Sequence, residues 1–116
     1  MAQIPDSVRV GPFRYAIKTD LPGFDRHRIS YGDSDSTVGK CSEGELSIYL
    51  DVANNHPSLV RMVTLHEVLH AVQNTANIKM AEELLPEEFV GRTAPILLGV
   101  LRDNPELVAY LTESDD

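Results

Sequence analysis

Residues 66–70 of this 116-residue chain read His-Glu-Val-Leu-His, a match to the pattern H-E-x-x-H. On a helix, positions i and i+4 lie one turn apart on one face, so two imidazoles can reach a single ion at roughly 2.0–2.1 Å each. Glu67 leaves the same side of the helix at an angle that carries it to a water on the ion and not to the ion itself. Such a group performs metal-assisted hydrolysis: the ion acidifies a water, and the carboxylate takes its proton as a carbonyl is attacked. The spacing therefore predicts one Zn2+ per chain on His66 and His70, with Glu67 as general base and a protein or peptide as substrate.

A catalytic zinc needs a third protein ligand and an open fourth position. His56 lies ten residues before His66, about 15 Å away along a helix axis, and suits a helix cap better than a ligand. His27 stands in a loop beside Arg26 and Arg28. Position 76 is Ala76, so the third histidine of the metzincin pattern is missing. Cys41 is the single cysteine; without a second one nearby it reads as a small buried thiol, in keeping with a reducing compartment. The acids Glu82, Glu83, Glu87 and Glu88 remain, around the start of a second helix. Glu87 shares its phase with Val90, Ala94, Leu97 and Leu101 and is expected to point inward, with Glu88 about 100° around from it. Glu87 or Glu88 is the expected third ligand.

The elements that must position these groups follow from periodicity. Val8 and Val10 alternate, Gly11-Pro12 punctuates, and Phe13, Tyr15 and Ile17 alternate again, which predicts strand, turn and strand. Residues 20–37 read as loop with a short extended piece near Ile29–Tyr31. A second hairpin is expected from Val38–Cys41, through a turn at Ser42-Glu43-Gly44, to the alternating Leu46, Ile48 and Leu50. The motif helix should start at Pro57, capped by Asn55 or His56, and run to about Asn74 or Ala76. Its core row is expected to be Met62, Leu65, Leu69, Val72 and Ala76, opposite Val63, His66, Glu67, His70 and Gln73. Pro86 opens the next helix, with Val90, Ala94, Leu97, Leu98 and Leu101 facing the core and a kink or break at Pro95. Asn104 and Pro105 should cap and open a short last helix over Glu106–Leu111.

Three stretches in combination resemble a known family: Thr64–Val72 with the motif, Glu87-Glu88-Phe89-Val90, and Val100–Leu107 with its Asp103-Asn104-Pro105. They are similar to short bacteriophage and prophage proteins described as zinc peptidases, akin to the ImmA/IrrE-like metallopeptidases and to compact gluzincins. Val38–Cys41 followed by Leu46–Leu50 is similar to that family's hairpin, and the likeness covers roughly residues 8–111. It implies a minimal zincin, with a small sheet over the motif helix and an edge strand that takes an extended peptide by strand addition. It also implies that a glutamate of the following helix, Glu87 or Glu88, completes the zinc site. No Glu-Ala-Asn-x-Phe-Ala stretch follows the motif, so cleavage of regulatory proteins is not carried over.

The expected fold is thus α+β, one domain over residues 1–116, with an antiparallel N-terminal sheet packed on the motif helix and C-terminal helices. A net charge of −8 disfavours nucleic acid and anionic membranes as partners. No apolar run approaches a membrane span. The N-terminus lacks the basic and apolar blocks of a signal peptide, which makes the cytoplasm (the host's, if the chain is phage-encoded) the expected compartment. Tyr49, Tyr110, His27 and Arg102 are the side chains available to stabilise an oxyanion. The alternative to an enzyme is a zinc-binding, non-catalytic phage interaction or structural protein on the same fold, since a metal would help so small a core.

Overall fold

The computed structural model describes residues 2–19, 38–78 and 84–114. Within them lie four strands, β1 (Ser7–Val10), β2 (Phe13–Lys18), β3 (Gly39–Ser42) and β4 (Ser47–Leu50). Three helices follow, α1 (Pro57–Thr75), α2 (Pro86–Asp103) and α3 (Pro105–Thr112). Strands precede helices, and the class is α+β as expected. The extended piece near Ile29–Tyr31 falls outside the described residues.

The first hairpin turns through Gly11-Pro12. Gly11 has φ +60°, the positive value that a two-residue hairpin turn of type II′ needs at its first position. A Cβ there would also meet Thr75 Cγ2 at 2.9 Å, so the turn is seated on the last residue of α1. The second hairpin runs from β3 to β4, with Ser42 opposite Ser47.

The sheet departs from the antiparallel expectation. Its order is β1-β2-β4-β3, and β2 pairs with β4 in parallel, Ile17 opposite Ile48. The reason lies in β4, all four of whose residues are buried. A strand covered on both faces belongs inside the sheet. β3 carries Gly39 and a partly exposed Lys40 and takes the outside position instead.

One face of the sheet sends Val8, Val10, Tyr15, Ile17, Ile48 and Leu50 into the core, where they meet Val60, Val68, Ala71 and Val72 of α1, Val100 of α2 and Leu107 of α3. The packed face of α1 is therefore not the expected one. Val60, Thr64, Glu67, Val68, Ala71 and Val72 are buried, while Met62 is 55% exposed and Leu65 and Leu69 are also out. Small and β-branched side chains let the helix approach the sheet closely, and Thr64 can be buried because its hydroxyl donates to Val60 O at 2.7 Å. The helix begins as expected: His56 caps it, with Nδ1 accepting from Ser58 N at 3.1 Å.

α2 differs in the same way. Val100 is buried and Ile96 and Leu97 are half-buried, whereas Glu87, Val90, Ala94, Leu98 and Leu101 are exposed. Pro95 does not divide the helix, which runs unbroken from Pro86 to Asp103. The carbonyl that Pro95 leaves without a donor belongs to Gly91, an exposed residue whose oxygen water can reach.

Asn104 stands at the corner between α2 and α3, in the expected cap position, but its side chain makes no cap hydrogen bond. It is spent on the sheet. Arg9 N donates to Asn104 Oδ1, and Asn104 Nδ2 donates to Arg9 O, both at 2.8 Å. A further bond from Nδ2 reaches Val100 O at 2.9 Å. The amide thus stands where a neighbouring strand would, on the outer edge of β1. No described helix is long and apolar enough to cross a membrane.

Asn104→Ala strips three hydrogen bonds from a buried corner and leaves Arg9 N without its partner. The expected cost is about 2–3 kcal/mol in urea unfolding, with the m-value unchanged. A loss below about 0.5 kcal/mol would mean that water replaces the amide.

Candidate metal centre

The motif occupies the third and fourth turns of α1, well inside the helix. Since the core is reached through Val60, Thr64, Val68 and Ala71, the positions between them are turned outward or toward β3. His66 is exposed and His70 half-buried. Their Nε2 atoms stand 3.2 Å apart, and their rings meet edge to face with centroids 4.8 Å apart. Glu67, about 100° further around the helix, is only 5% exposed.

What covers Glu67 is β3. A Cβ built on Gly39 would fall 3.2 Å from Glu67 Cγ and 3.2 Å from Oε2, and 2.5 Å from Val63 Cγ1. Position 39 has room for hydrogen alone, and the carboxylate lies against bare backbone. Cys41, two residues on, is on the same side of the strand. Burial pushes its thiol up from 9.0 to about 12, with the negative charges of Glu67 and Glu43 adding to the rise and Lys40 opposing it. The sequence reading did not single out Gly39. A glycine inside a short strand pattern is the signal that could have done so, because it marks close approach of another chain segment.

With their Nε2 atoms 3.2 Å apart the two imidazoles share an N–H···N hydrogen bond. Two ligands at ~2.05 Å on a tetrahedral centre are about 3.3 Å apart, so an ion could replace the shared proton with little movement of the rings. The donor set also suits zinc, a borderline ion with high affinity for neutral imidazole.

The acids of α2 do not join the pair. Among the described residues no group of three His, Cys, Asp or Glu is placed to hold an ion, and Glu87 and Glu88 are both exposed in the first turn of α2. The inward position expected of Glu87 rested on its phase with Val90, Ala94, Leu97 and Leu101, of which Leu97 alone is packed against the core. Val90, Ala94, Leu101 and Glu87 itself face outward. His27, Glu82 and Glu83 lie outside the described residues. Of the side chains considered for an oxyanion, the Tyr49 hydroxyl donates to Glu45 Oε1 at 2.7 Å. The Tyr110 ring lies under the Arg61 guanidinium, 5.2 Å from its centroid, and Arg102 is exposed at the far end of α2.

Compared with protein-family models, curated proteins and solved structures, the chain matches none. The ground for a functional proposal is the chemistry of His66, Glu67, His70 and their surroundings.

The Cys41 thiol offers a reading of the Glu67 charge. In the folded chain at pH 8.5 its alkylation by iodoacetamide should be at least about tenfold slower than in urea, because a raised pKa leaves little thiolate. Glu67→Gln removes a charge that holds the pKa up, so alkylation of the folded variant should speed up. Since the folded thiol binds its proton more tightly than the unfolded one, stability should fall as pH rises from 9.0 toward about 12. Equal rates for the folded and urea-unfolded chains would contradict the burial of the thiol.

Proposed function

We propose that this chain is a zinc-dependent peptidase in which His66 and His70 hold the metal and Glu67 is the general base. The observation that carries the proposal is the 3.2 Å between the two Nε2 atoms, which fits a pair of ligands on one tetrahedral ion. Bound there, zinc would supply a Lewis acid that acidifies water and polarises a carbonyl. Glu67, next to a ligand and on the β3 side of it, takes the proton of the attacking water and passes it to the leaving amine. Its carboxylate is screened from bulk water by β3, which strengthens its electrostatic effect on a nearby proton. The third donor is proposed to be Glu87 or Glu88 of the first turn of α2, which metal binding would have to draw to the pair from their exposed positions, at the helix end whose dipole favours an anion.

A peptide substrate is supported by β3. The strand is one of the two edge strands of the described sheet and lies over α1 beside Glu67, so an extended chain added to it would pass the histidine pair. The proposed compartment is the cytoplasm. A non-catalytic zinc staple is the competing possibility, and Glu67 argues against it, because a structural site has no use for a buried carboxylate beside its ligand.

Chain purified without chelator should carry one zinc by elemental analysis. His66→Ala should lose it together with some thermal stability, since binding to the folded state adds to folding free energy. Glu67→Gln should keep the zinc and the melting temperature, while hydrolysis of an unfolded protein such as casein drops by at least about 100-fold. Release of zinc by Glu67→Gln would make Glu67 a ligand and refute the mechanism. Zinc retention with no hydrolysis in the parent chain would favour the staple. Competition against a chromophoric chelator assigns the third ligand: the residue whose change to Gln, Glu87 or Glu88, weakens affinity tenfold or more.

A further inference from the structure

The exposed apolar residues of α2 form a pattern that the peptidase proposal does not use. Val90, Ala94, Leu98 and Leu101 run along one side of the helix, with Val90 55%, Leu98 47% and Leu101 48% exposed and Ala94 exposed as well. Ile96, Leu97 and Val100 hold α2 to its own chain; Leu97, about 20° from Val90 around the helix, borders the exposed stripe, and Val100 and Ile96 lie further round. Spacing along the exposed stripe is symmetric about Ala94: Val90 and Leu98 lie four residues to either side, Glu87 and Leu101 seven. A helix with such a stripe is self-complementary under a two-fold axis through its middle.

We infer that α2 is the interface of a homodimer, in which two copies of the helix pack antiparallel across a two-fold axis at Ala94. Such an isologous contact sets each residue against its mirror position. Val90 meets the partner's Leu98, and Leu98 the partner's Val90. Ala94 meets its own copy at the crossing, where a small side chain lets the backbones approach. The ends are complementary in charge. In the zinc-free chain Glu87, in the first turn, faces the partner's Leu101 and Arg102, and Arg102 is the basic residue of the last turn. The reversed direction also sets the two helix dipoles head to tail. A parallel pairing would oppose Glu87 to Glu87 and Arg102 to Arg102, which the charges disfavour.

The contact is small. An 18-residue helix is ~27 Å long, and two such helices in contact bury on the order of 1,000 Å² in total, the lower bound for a specific interface. The dimer should therefore be of modest affinity, with Kd on the order of 10 μM. Pairing would also cover a row of apolar side chains that a monomer leaves to water.

Sedimentation equilibrium from about 1 to 300 μM, in chelator so that zinc takes no part, tests the inference separately from the peptidase proposal. The parent chain should show a monomer–dimer equilibrium. Leu98→Glu and Val90→Glu should each raise Kd by tenfold or more with unchanged circular dichroism, because both positions are already exposed in the monomer. Met62→Glu, at an equally exposed residue on α1, should leave Kd where it was. Glu87→Arg and Arg102→Glu should each weaken the dimer about threefold to tenfold, and the double exchange should recover it. A chain that stays monomeric at 300 μM overturns the inference. So does a dimer indifferent to Leu98→Glu, or one that Met62→Glu disrupts instead.

Discussion

With no side chain at position 39, β3 can come to rest on α1 at the turn where Glu67 leaves the helix. Much else follows from that one contact. A methyl group there would collide with Val63 and press on Glu67, and the strand would have to lift away from the helix. Lifted, it would leave Glu67 open to water, a carboxylate like any other on a helix surface. The close approach also fixes the roll of α1. Once Val63 and Glu67 face β3, the residues a further step around, Val60, Thr64, Val68 and Ala71, must face the rest of the sheet. His66 and His70 are then carried to the outer side as a pair. The geometry that suits an ion and the geometry that buries the core are consequences of the same rotation of one helix.

The two sides of the sheet are finished differently, and each finish serves the site. On β1 the outward backbone of Arg9 is bound on both its donor and its acceptor by the Asn104 amide. The corner between α2 and α3 is thereby pinned to the sheet, and that part of β1 is closed to pairing with another strand. On the other side β3 lies along α1, beside the only buried carboxylate among the described helix residues. Under the peptidase proposal, β3 is the edge to which an extended substrate would add.

Apolar residues are distributed unevenly between core and surface. The core is built largely from valine, supplemented by Ile17, Ile48, Ala71, Tyr15, Leu50 and Leu107. Leucines and methionine on α1 and α2 are largely left outside. Short strands and a closely packed helix give small, branched side chains the advantage, because they fill the narrow space without forcing helix and sheet apart. The remaining large side chains lie on surfaces that one chain of this size does not cover.

The sequence by itself determined the class of fold, the helix starts and which side chains are the candidates for metal chemistry. Alternation in Val8–Val10 and Phe13–Ile17 marked the first hairpin, and Pro57, Pro86 and Pro105 marked where helices begin. The i,i+4 spacing of His66 and His70 required their convergence on any helix. All of these depend on near neighbours in the chain. What tertiary structure decided was orientation. Apolar residues on α1 fall in two adjacent stripes, and only contact with a sheet of particular spacing selects the one with Val60 and Ala71 over the one with Met62 and Leu69. The same ambiguity put Glu87 inward in sequence and outward in the structure. Parallel pairing of β2 with β4 was equally hidden, because alternation says which residues share a face but not which strand lies beside which. The role of Gly39 needed both levels: a glycine can permit a close approach, but only the folded chain brings Glu67 to meet it.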